Sequence, residues 1–339
     1  MLAQSRRSFV AGLAGVTVGA ALATSSPRGS LAQGTLSATP GTESGGWSFL
    51  DDRGRAVELA STPTRIFADY MAGLSLWAYG IKPVGVAGYF SGITIPEEWD
   101  DVVLFDLEAG ELDIEMLIEL DPDLSVGFTW DMVNKNDFGA IDESTMPGFL
   151  DVAPSACILA VEAPIDASIE RFGELAAALG ADVESEAVVT AREAFAAAAE
   201  AVRAATAAKP DLTSIAMSGA LENAWIGNPT VASDLVYFAN LGVTFVVPET
   251  PQEYASGLWQ QISWEQVGEY QADLYLLDNR PSSLPVDEYQ EIPVVQLLPA
   301  FQAGQTAEWP VEYIFSYDGL TPTLIALAEA ISGAEVVTE

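Results

Sequence analysis

The chain has 339 residues, of which 50% are hydrophobic and 18% charged, so it can bury an ordinary core, and its length favours two domains over one. It carries 13 Lys and Arg residues against 49 Asp and Glu, a formal net charge of -36, which argues against nucleic acid or anionic lipid as a partner because phosphate binding needs clustered cations. It contains no histidine and one cysteine, which excludes His-dependent catalytic triads, zinc sites built from His or several Cys, and an intramolecular disulfide.

Residues 1–32 have the features of an export signal. Arg6 and Arg7 precede an apolar stretch, 9–23, that is short for a bilayer span of about 20 residues. Small residues before Gln33 suit a signal peptidase and predict Gln33 as the mature N-terminus. The arginine pair resembles a twin-arginine signal, with a general secretory signal or an uncleaved anchor as the alternatives. Because no cysteine lies near the cleavage point, we expect an exported, soluble protein without a lipid anchor.

The segment after the signal begins with a linker and a hairpin. Residues 33–46 are small and polar, which predicts a flexible linker. Two short apolar runs within 47–59 flank the turn residues 51–54, which predicts a β-hairpin whose acidic pair, Asp51-Asp52, belongs to a turn or a solvated face. The βαβ pattern that follows indicates a parallel sheet. Its predicted elements are a strand at 66–68, a helix at 74–79 and a strand at 83–87.

A second helix–strand pair is predicted over 114–127. Apolar residues at helical spacing indicate a helix that Pro122 stops, and an apolar strand follows from 124. A further apolar strand is predicted at 157–161. It contains Cys157, which we interpret as a buried small residue rather than a nucleophile.

The second half of the chain begins with a long helical region, 162–206, that is predicted to break at 180–182. The piece over 184–206 has no Gly or Pro and would be about 35 Å long. Strands and helices then alternate over 214–217, 233–241, 243–247, 264–270, 274–277 and 322–331. This order predicts an α/β protein with parallel-rich sheets. Its parts are an N-terminal lobe at 47–161, a helical connector at 162–209 and a C-terminal lobe at 210–339.

An internal repeat supports two similar lobes. Glu115 and Asp123 stand eight residues apart, and so do Glu265 and Asp273, with an offset of 150 residues between the pairs. In both copies a helix is predicted before the Asp and a strand after it. The shared context indicates one structural unit used twice.

The same repeat indicates where a ligand would bind. Trp130 and Arg280 each stand seven residues beyond the Asp of their copy, just past the end of a predicted parallel strand. Ligands of open α/β sheets bind at the carboxyl ends of the strands. Arg280 is the arginine best placed to face a ligand, with Lys135 as the other candidate cation. The alternative for Arg280 is a structural pair with Asp278 or another nearby acid.

Aromatic residues at strand ends and in loops suit a large, partly apolar ligand, since rings offer contact area with little entropy to lose. The alternative for each ring is packing in the core of its own lobe. With Arg280, the candidate ligand-binding residues are Tyr70, Tyr89, Trp130, Trp225 and Tyr317. No P-loop and no calcium loop of the alternating Asp/Asn type is present, and nothing in the sequence supports catalysis by the protein.

In order and spacing, five stretches resemble the periplasmic substrate-binding proteins of ABC importers for iron–siderophores and cobalamin. The most specific is 114–124, which resembles the pattern Leu-Glu-x-Ile-x-x-Leu-x-Pro-Asp-Leu of that family. The resemblance covers about residues 47–335. The other stretches are 51–55, 63–66, 76–86 and 263–273.

The resemblance implies a fold and a partner. The family fold has two α/β lobes joined by one long helix, with the ligand in a cleft between the lobes, and 184–206 fits that helix. A single stiff connector implies a small closure on binding. In the family a surface Glu on each lobe pairs with arginines of the membrane permease, and the matching positions are Glu115 and Glu265. Their alternative role is a favourable charge near a helix N-terminus.

The resemblance also implies a ligand, and no resident cofactor is expected. A monomer that carries a ferric siderophore, with Fe³⁺ held by the chelate and no metal held by the protein, is the leading hypothesis. Because the chain offers so few cations for a cleft, a hydroxamate or mixed siderophore is favoured over a strongly anionic one. The alternatives are a cobalamin-binding protein of the same fold and, from another class, an exported hydrolase that uses carboxylates.

Overall fold

A computed structural model of the chain describes residues 46–109, 113–130, 139, 149–161, 163–251 and 257–338. The predicted signal peptide, almost all of the linker, and Lys135 lie outside these residues. No helix in the described part of the chain is both long enough and apolar enough to cross a membrane.

The predicted hairpin is confirmed, and its turn is anchored rather than solvated. Strands β1 (Trp47–Leu50) and β2 (Ala56–Leu59) pair antiparallel. Asp51 in the turn is only 3% exposed and binds the Arg53 guanidinium at 2.6 Å. Arg53 in turn donates to the carbonyl oxygen of Ser155 at 2.7 Å. The interpretation of Asp51 as a possible solvated face is therefore wrong, because this carboxylate fastens the hairpin to the first sheet.

The N-terminal sheet has five strands, all parallel, in the order β5-β4-β3-β6-β7. Every residue of β3, β4 and β6 is buried, as expected for strands covered on both faces. The strands are β3 (Ile66–Asp69), β4 (Gly85–Gly88), β5 (Val103–Asp106), β6 (Leu124–Thr129) and β7 (Ser155–Leu159).

Two short helices complete this lobe, and their ends have identifiable causes. Helix α1 (Tyr70–Trp77) begins four residues before the predicted start because Asp69 accepts a hydrogen bond from the backbone nitrogen of Met71 and caps it. Helix α2 (Ile114–Leu120) is capped by Asp113, because the Asp113 side chain accepts a hydrogen bond from the backbone nitrogen of Met116.

The connector consists of two helices, α3 (Ile165–Ala178) and α4 (Glu186–Ala208). They are separated at the predicted break, where Gly180 adopts a φ of 94° that favours glycine. Helix α4 has 23 residues and is about 35 Å long. It leads directly into the second sheet and packs along the last helix, α7 (Tyr317–Gly333).

The C-terminal sheet has the order β11-β9-β8-β12-β13, with β10 beside the start of β8. Strands β8, β10, β12 and β13 are parallel, whereas β9 and β11 are antiparallel to their neighbours. The strands are β8 (Thr213–Gly219), β9 (Asn223–Gly227), β10 (Thr244–Phe245), β11 (Trp259–Ser263), β12 (Leu274–Asp278) and β13 (Thr306–Trp309). The helices before α7 are α5 (Ser233–Asn240), α6 (Pro299–Gln302) and, in the described residues, 3-10 helices at Trp264–Glu269, Glu288–Glu291 and Val295–Leu297. The predicted fold class, two parallel-rich α/β lobes joined by a long helix, is confirmed.

The internal repeat has a common structural role in the two lobes. The Asp123 carboxylate accepts hydrogen bonds from the backbone nitrogens of Thr64 and Arg65, just before β3. The Asp273 carboxylate accepts one from the backbone nitrogen of Thr213, the first residue of β8. In each lobe the aspartate therefore fixes the start of one central strand against its neighbour.

The two lobes share one continuous hydrophobic core. Phe315, which follows β13, packs between Phe128 of β6 and Phe172 of α3, with ring centroids 5.3 Å from each. Its backbone nitrogen also donates to the Ser75 hydroxyl of α1 at 2.8 Å. This segment of the C-terminal lobe is thus embedded in the N-terminal lobe.

We expect Asp273→Asn to lower the free energy of unfolding by about 2 kcal/mol at pH 7, because the buried carboxylate accepts charge-assisted bonds from Thr213, Val337 and Thr338. Burial alone would raise the pKa of Asp273, but these backbone hydrogen bonds outweigh it and lower the pKa to about 2. The ionised carboxylate therefore contributes fully to the free energy of unfolding above pH 4, because the pKa of an aspartate in the unfolded chain is about 3.9. This contribution is lost as the pH falls towards 2.

Chemical denaturation between pH 7 and pH 2 measures this effect. The difference between the parent and Asp273→Asn should shrink over the acidic part of the range. The matched control is Asp287→Asn, since Asp287 is exposed and makes no capping bond. Equal losses in the two variants would contradict the role assigned to Asp273.

Candidate functional site

A cavity of about 140 Å³ lies between the lobes at the carboxyl ends of their strands. A second, more open cavity of about 250 Å³ shares two lining residues with it, Trp259 and Arg280, so the two form one cleft. The N-terminal lobe contributes Met71, Trp130 and Ala160. The C-terminal lobe contributes most of the wall. In the first cavity its residues include Asp234, Trp309, Glu312, Tyr313 and Phe315. In the second cavity they include Ser218, Trp225 and Ser282.

Three of the predicted ligand-binding residues line this cleft: Trp130, Trp225 and Arg280. Trp130 directly follows β6, and its ring meets that of Phe128 edge-on at 4.7 Å. Arg280 follows β12, so the two positions matched by the internal repeat face the same cavity from opposite lobes. This agrees with the rule that ligands bind beyond the carboxyl ends of parallel strands.

The structure does not bring the other three predicted residues to the lining. Tyr70 is 3% exposed, because its ring lies against Gly88, where a Cβ atom would be 2.1 Å from it. Tyr89 is 52% exposed and lines neither cavity. Tyr317 is the first residue of α7 and packs edge-on against Phe195 of α4, with ring centroids 5.5 Å apart. Its contacts are therefore with the connector.

Arg280 is not a free cation. Its Nε and Nη2 atoms donate to the two oxygens of Asp278, at 3.1 and 2.7 Å, and Asp278 is fully buried. Its Nη1 atom lies 3.6 Å from Oε1 of Glu312. The guanidinium also lies 6.0 Å from the centre of the Trp259 ring. The sequence left open whether Arg280 lines the cleft or forms a structural pair with Asp278. In the structure it does both.

A buried carboxylate that sequence analysis missed forms part of the wall. Asp234, in the first turn of α5, is 5% exposed. Its Oδ2 atom accepts hydrogen bonds from the Trp309 indole nitrogen at 2.6 Å and from the Tyr313 hydroxyl at 2.9 Å. Burial raises the pKa of Asp234, and these two donors oppose that shift. The only sequence signal was an acid at the start of an otherwise apolar helix.

Glu312 joins the lobes across the cavity. The Tyr70 hydroxyl of the N-terminal lobe donates to its Oε2 atom at 2.8 Å. Burial and this carboxylate raise the pKa of the Tyr70 phenol, so the phenol stays protonated and remains a donor. Tyr70 therefore acts on the cleft through Glu312 rather than by lining it. Together with Arg280, these contacts hold Glu312 at the wall of the cavity.

The two predicted docking glutamates are both exposed, one on each lobe. Glu115 is in the first turn of α2. Glu265 is in the first turn of the 3-10 helix, which a reciprocal pair of hydrogen bonds between Ser263 and Gln266 caps. Their side chains are thus available at matching positions of the repeat. Among the described residues, no group of three or more Cys, Asp or Glu side chains is arranged to hold a metal ion.

A sequence model of the family described as periplasmic binding protein matches residues 101–313. The chain is also 33% identical to DesE, a ferric-siderophore receptor protein from Streptomyces coelicolor. That match covers 86% of this chain and 100% of DesE, with a TM-score of 0.77. The chain belongs to the periplasmic binding protein family. The resemblance found in the sequence motifs is therefore confirmed.

Two other proteins of solved structure share the fold. The siderophore periplasmic binding protein from the fuscachelin gene cluster of Thermobifida fusca is 21% identical, with a TM-score of 0.57 over 80% of this chain and 97% of its own. PiaA of Streptococcus pneumoniae, solved in complex with ferrichrome, is 18% identical, with a TM-score of 0.56 over 85% and 99%. No curated protein matches the chain.

Arg280→Met should lower the free energy of unfolding by about 2–4 kcal/mol, because it leaves the buried Asp278 carboxylate without its cation. Arg203→Met is the matched control, since the salt bridge of Arg203 with Glu200 is largely exposed and should contribute under about 1 kcal/mol. Chemical denaturation of the two variants measures the contrast. If Arg280→Met is no more destabilised than the control, the pair with Asp278 is not structural.

Proposed function

We propose that this protein binds a ferric siderophore outside the cytoplasm and delivers it to an ABC importer. The observation that carries the proposal is the aromatic-lined cleft between the lobes of a chain that matches a ferric-siderophore receptor along that receptor's whole length. Iron enters as part of the ligand, and the protein needs no cofactor of its own.

The chemistry of the cleft supports this class of ligand. Five aromatic side chains of the described residues line the first cavity and offer extended apolar area to the organic part of a chelate. The rings belong to Trp130, Trp259, Trp309, Tyr313 and Phe315. Because the chain has no histidine, it lacks the imidazole ligand that bare metal ions and haem commonly use.

The charge of the cleft favours a siderophore with little negative charge. Arg280 is the one cation among the described lining residues, and it is already paired with Asp278. A hydroxamate or mixed siderophore fits this wall better than a strongly anionic chelate, which would need several arginines. The proposal contains no chemical step, since the ligand is released to the importer unchanged.

Export and assembly are part of the proposal. The paired Arg6 and Arg7 and the short apolar stretch after them support export through the twin-arginine route, with cleavage before Gln33. The absence of a cysteine near that point supports a form without a lipid anchor, and we propose that it acts as a monomer. N-terminal sequencing of the exported protein tests the cleavage site.

Delivery requires a contact with the membrane permease. Glu115 and Glu265 are exposed on equivalent helix starts of the two lobes. Carboxylates so placed can pair with arginines of a two-fold permease, one from each half. We therefore propose that these two side chains dock the loaded protein on the importer.

Titration of the exported protein, followed by tryptophan fluorescence, tests the ligand. We expect one ferric hydroxamate siderophore to bind per chain and to change the fluorescence, because Trp130, Trp259 and Trp309 line the first cavity. Trp130→Ala should weaken binding about tenfold or more through lost apolar contact. Leu297→Ala, an exposed residue elsewhere on the C-terminal lobe, is the control. Binding of cobalamin in place of every siderophore would support the alternative ligand and contradict the proposal.

Charge reversal tests the docking contact. Glu115→Lys combined with Glu265→Lys should abolish uptake of the ferric siderophore and leave ligand affinity unchanged. Because both residues are exposed, stability should change by only about 0.5 kcal/mol. The matched control reverses Glu193 and Glu329, which are exposed on α4 and α7. Normal uptake by the first double variant would rule out docking through these two glutamates.

A further inference from the structure

The wall of the cleft carries more negative than positive charge. Among the described residues, the ionisable side chains that line the first cavity are Asp234, Arg280 and Glu312, apart from the phenol of Tyr313. Asp278 stands behind Arg280 and binds its guanidinium with both oxygens. One guanidinium therefore stands among three carboxyl groups, and Asp278 is the one that pairs with it. A ligand with exposed negative charge would be repelled here, whereas a positive group would be attracted.

Asp234 is held as an acceptor at the wall of the cavity. Trp309 and Tyr313, which themselves line the cavity, both donate to its Oδ2 atom. Two fixed donors make this carboxylate a rigid group with one orientation. Its burial makes an unpaired charge costly, so an arriving cation would gain more from it than from an exposed carboxylate.

Glu312 is held as the more accessible acceptor. Tyr70 donates to Oε2, and Arg280 lies 3.6 Å from Oε1, beyond direct hydrogen-bond distance. Its side chain is 37% exposed, so solvent or a ligand can reach it. Glu312 is adjacent to Tyr313, the donor to Asp234, which brings the two acceptors to the same stretch of wall.

Aromatic rings complete the surroundings of these carboxylates. Trp130, Trp259 and Phe315 line the same cavity together with the two aromatic donors to Asp234. A ring face attracts a cation through its quadrupole, and a carboxylate adds a charge-assisted hydrogen bond. A protonated amine is a ligand group that can make both the cation–π contact and the charge-assisted hydrogen bond.

We propose that the cleft selects ferric siderophores that carry a protonated amino group, and that Glu312 and Asp234 recognise this ammonium. The inference rests on the proposed function, because it specifies which siderophores the same cleft takes. It makes Glu312 and Asp234 determinants of specificity, while the aromatic rings hold the rest of the chelate. Arg280 has a positioning role, since it holds Glu312 and is itself held by Asp278.

A pair of probes that differ by one charge tests the proposal. The first is the ferric complex of a linear trihydroxamate that ends in a primary amine, and the second is the same complex after acetylation of that amine. We expect the parent protein to bind the amine form about 10- to 100-fold more tightly. Glu312→Gln and Asp234→Asn should each reduce this preference, because affinity for the amine form should fall more than affinity for the acetylated form. Both amides keep an oxygen for the donors that bind the carboxylate.

The control and the outcomes separate this inference from the function on which it rests. Glu308→Gln removes one charge from an exposed residue of β13 outside the lining and should keep the full preference. The inference is overturned if the parent binds both probes with equal affinity. It is also overturned if Glu312→Gln loses affinity equally for both probes. Neither result contradicts the proposed function. Failure of the parent to bind either probe or any other ferric siderophore overturns the proposed function instead. Since Asp234 is buried, Glu312→Gln decides the matter if Asp234→Asn does not fold.

Discussion

The insertion of Phe315 between Phe128 and Phe172 is the contact on which the geometry of the cleft depends. It fixes the segment after β13 inside the N-terminal lobe, and the same segment carries Glu312 and Tyr313 to the cavity wall. The lobes therefore do not meet as two separate surfaces around an empty groove. They share a core, and the cleft is the part of the interface that this core leaves unfilled. Large opening would have to expose buried aromatic rings, which is costly, so we expect the wall to change little when the lobes move.

The electrostatics of the cleft follow from the same arrangement. A single arginine could have served as an anion receptor, but Asp278 occupies its guanidinium through two hydrogen bonds. What remains at the wall is a set of acceptors, each fixed by an aromatic donor: Asp234 by Trp309 and Tyr313, and Glu312 by Tyr70. The chain has 49 acidic residues, and most of those that the structure describes are at least partly exposed. These two differ because tertiary contacts bring them to a partly enclosed, aromatic site, where a charge has stronger effects.

Much of this organisation could be read from the sequence. Alternating helix and strand patterns predicted the fold class, and the repeat of Glu and Asp predicted two lobes whose strand ends carry Trp130 and Arg280. The misplaced residues have local causes. Ser316 caps α7 through the Gly319 nitrogen, so the helix begins five residues before its predicted start and Tyr317 faces α4. Asp234 and Glu312 could not be selected from so many acids, because their hydrogen-bond partners come from segments distant in sequence.

The central claim is that the ligand occupies the cleft between the lobes, and a crystal structure of the protein with a ferric hydroxamate siderophore tests it most directly. The anomalous signal of iron locates the chelate independently of how the organic part is built. The account predicts one iron per chain between Trp130 and Arg280, with the chelate against the ring of Trp259. Iron bound elsewhere, with the cleft unchanged and free of ligand, would contradict it.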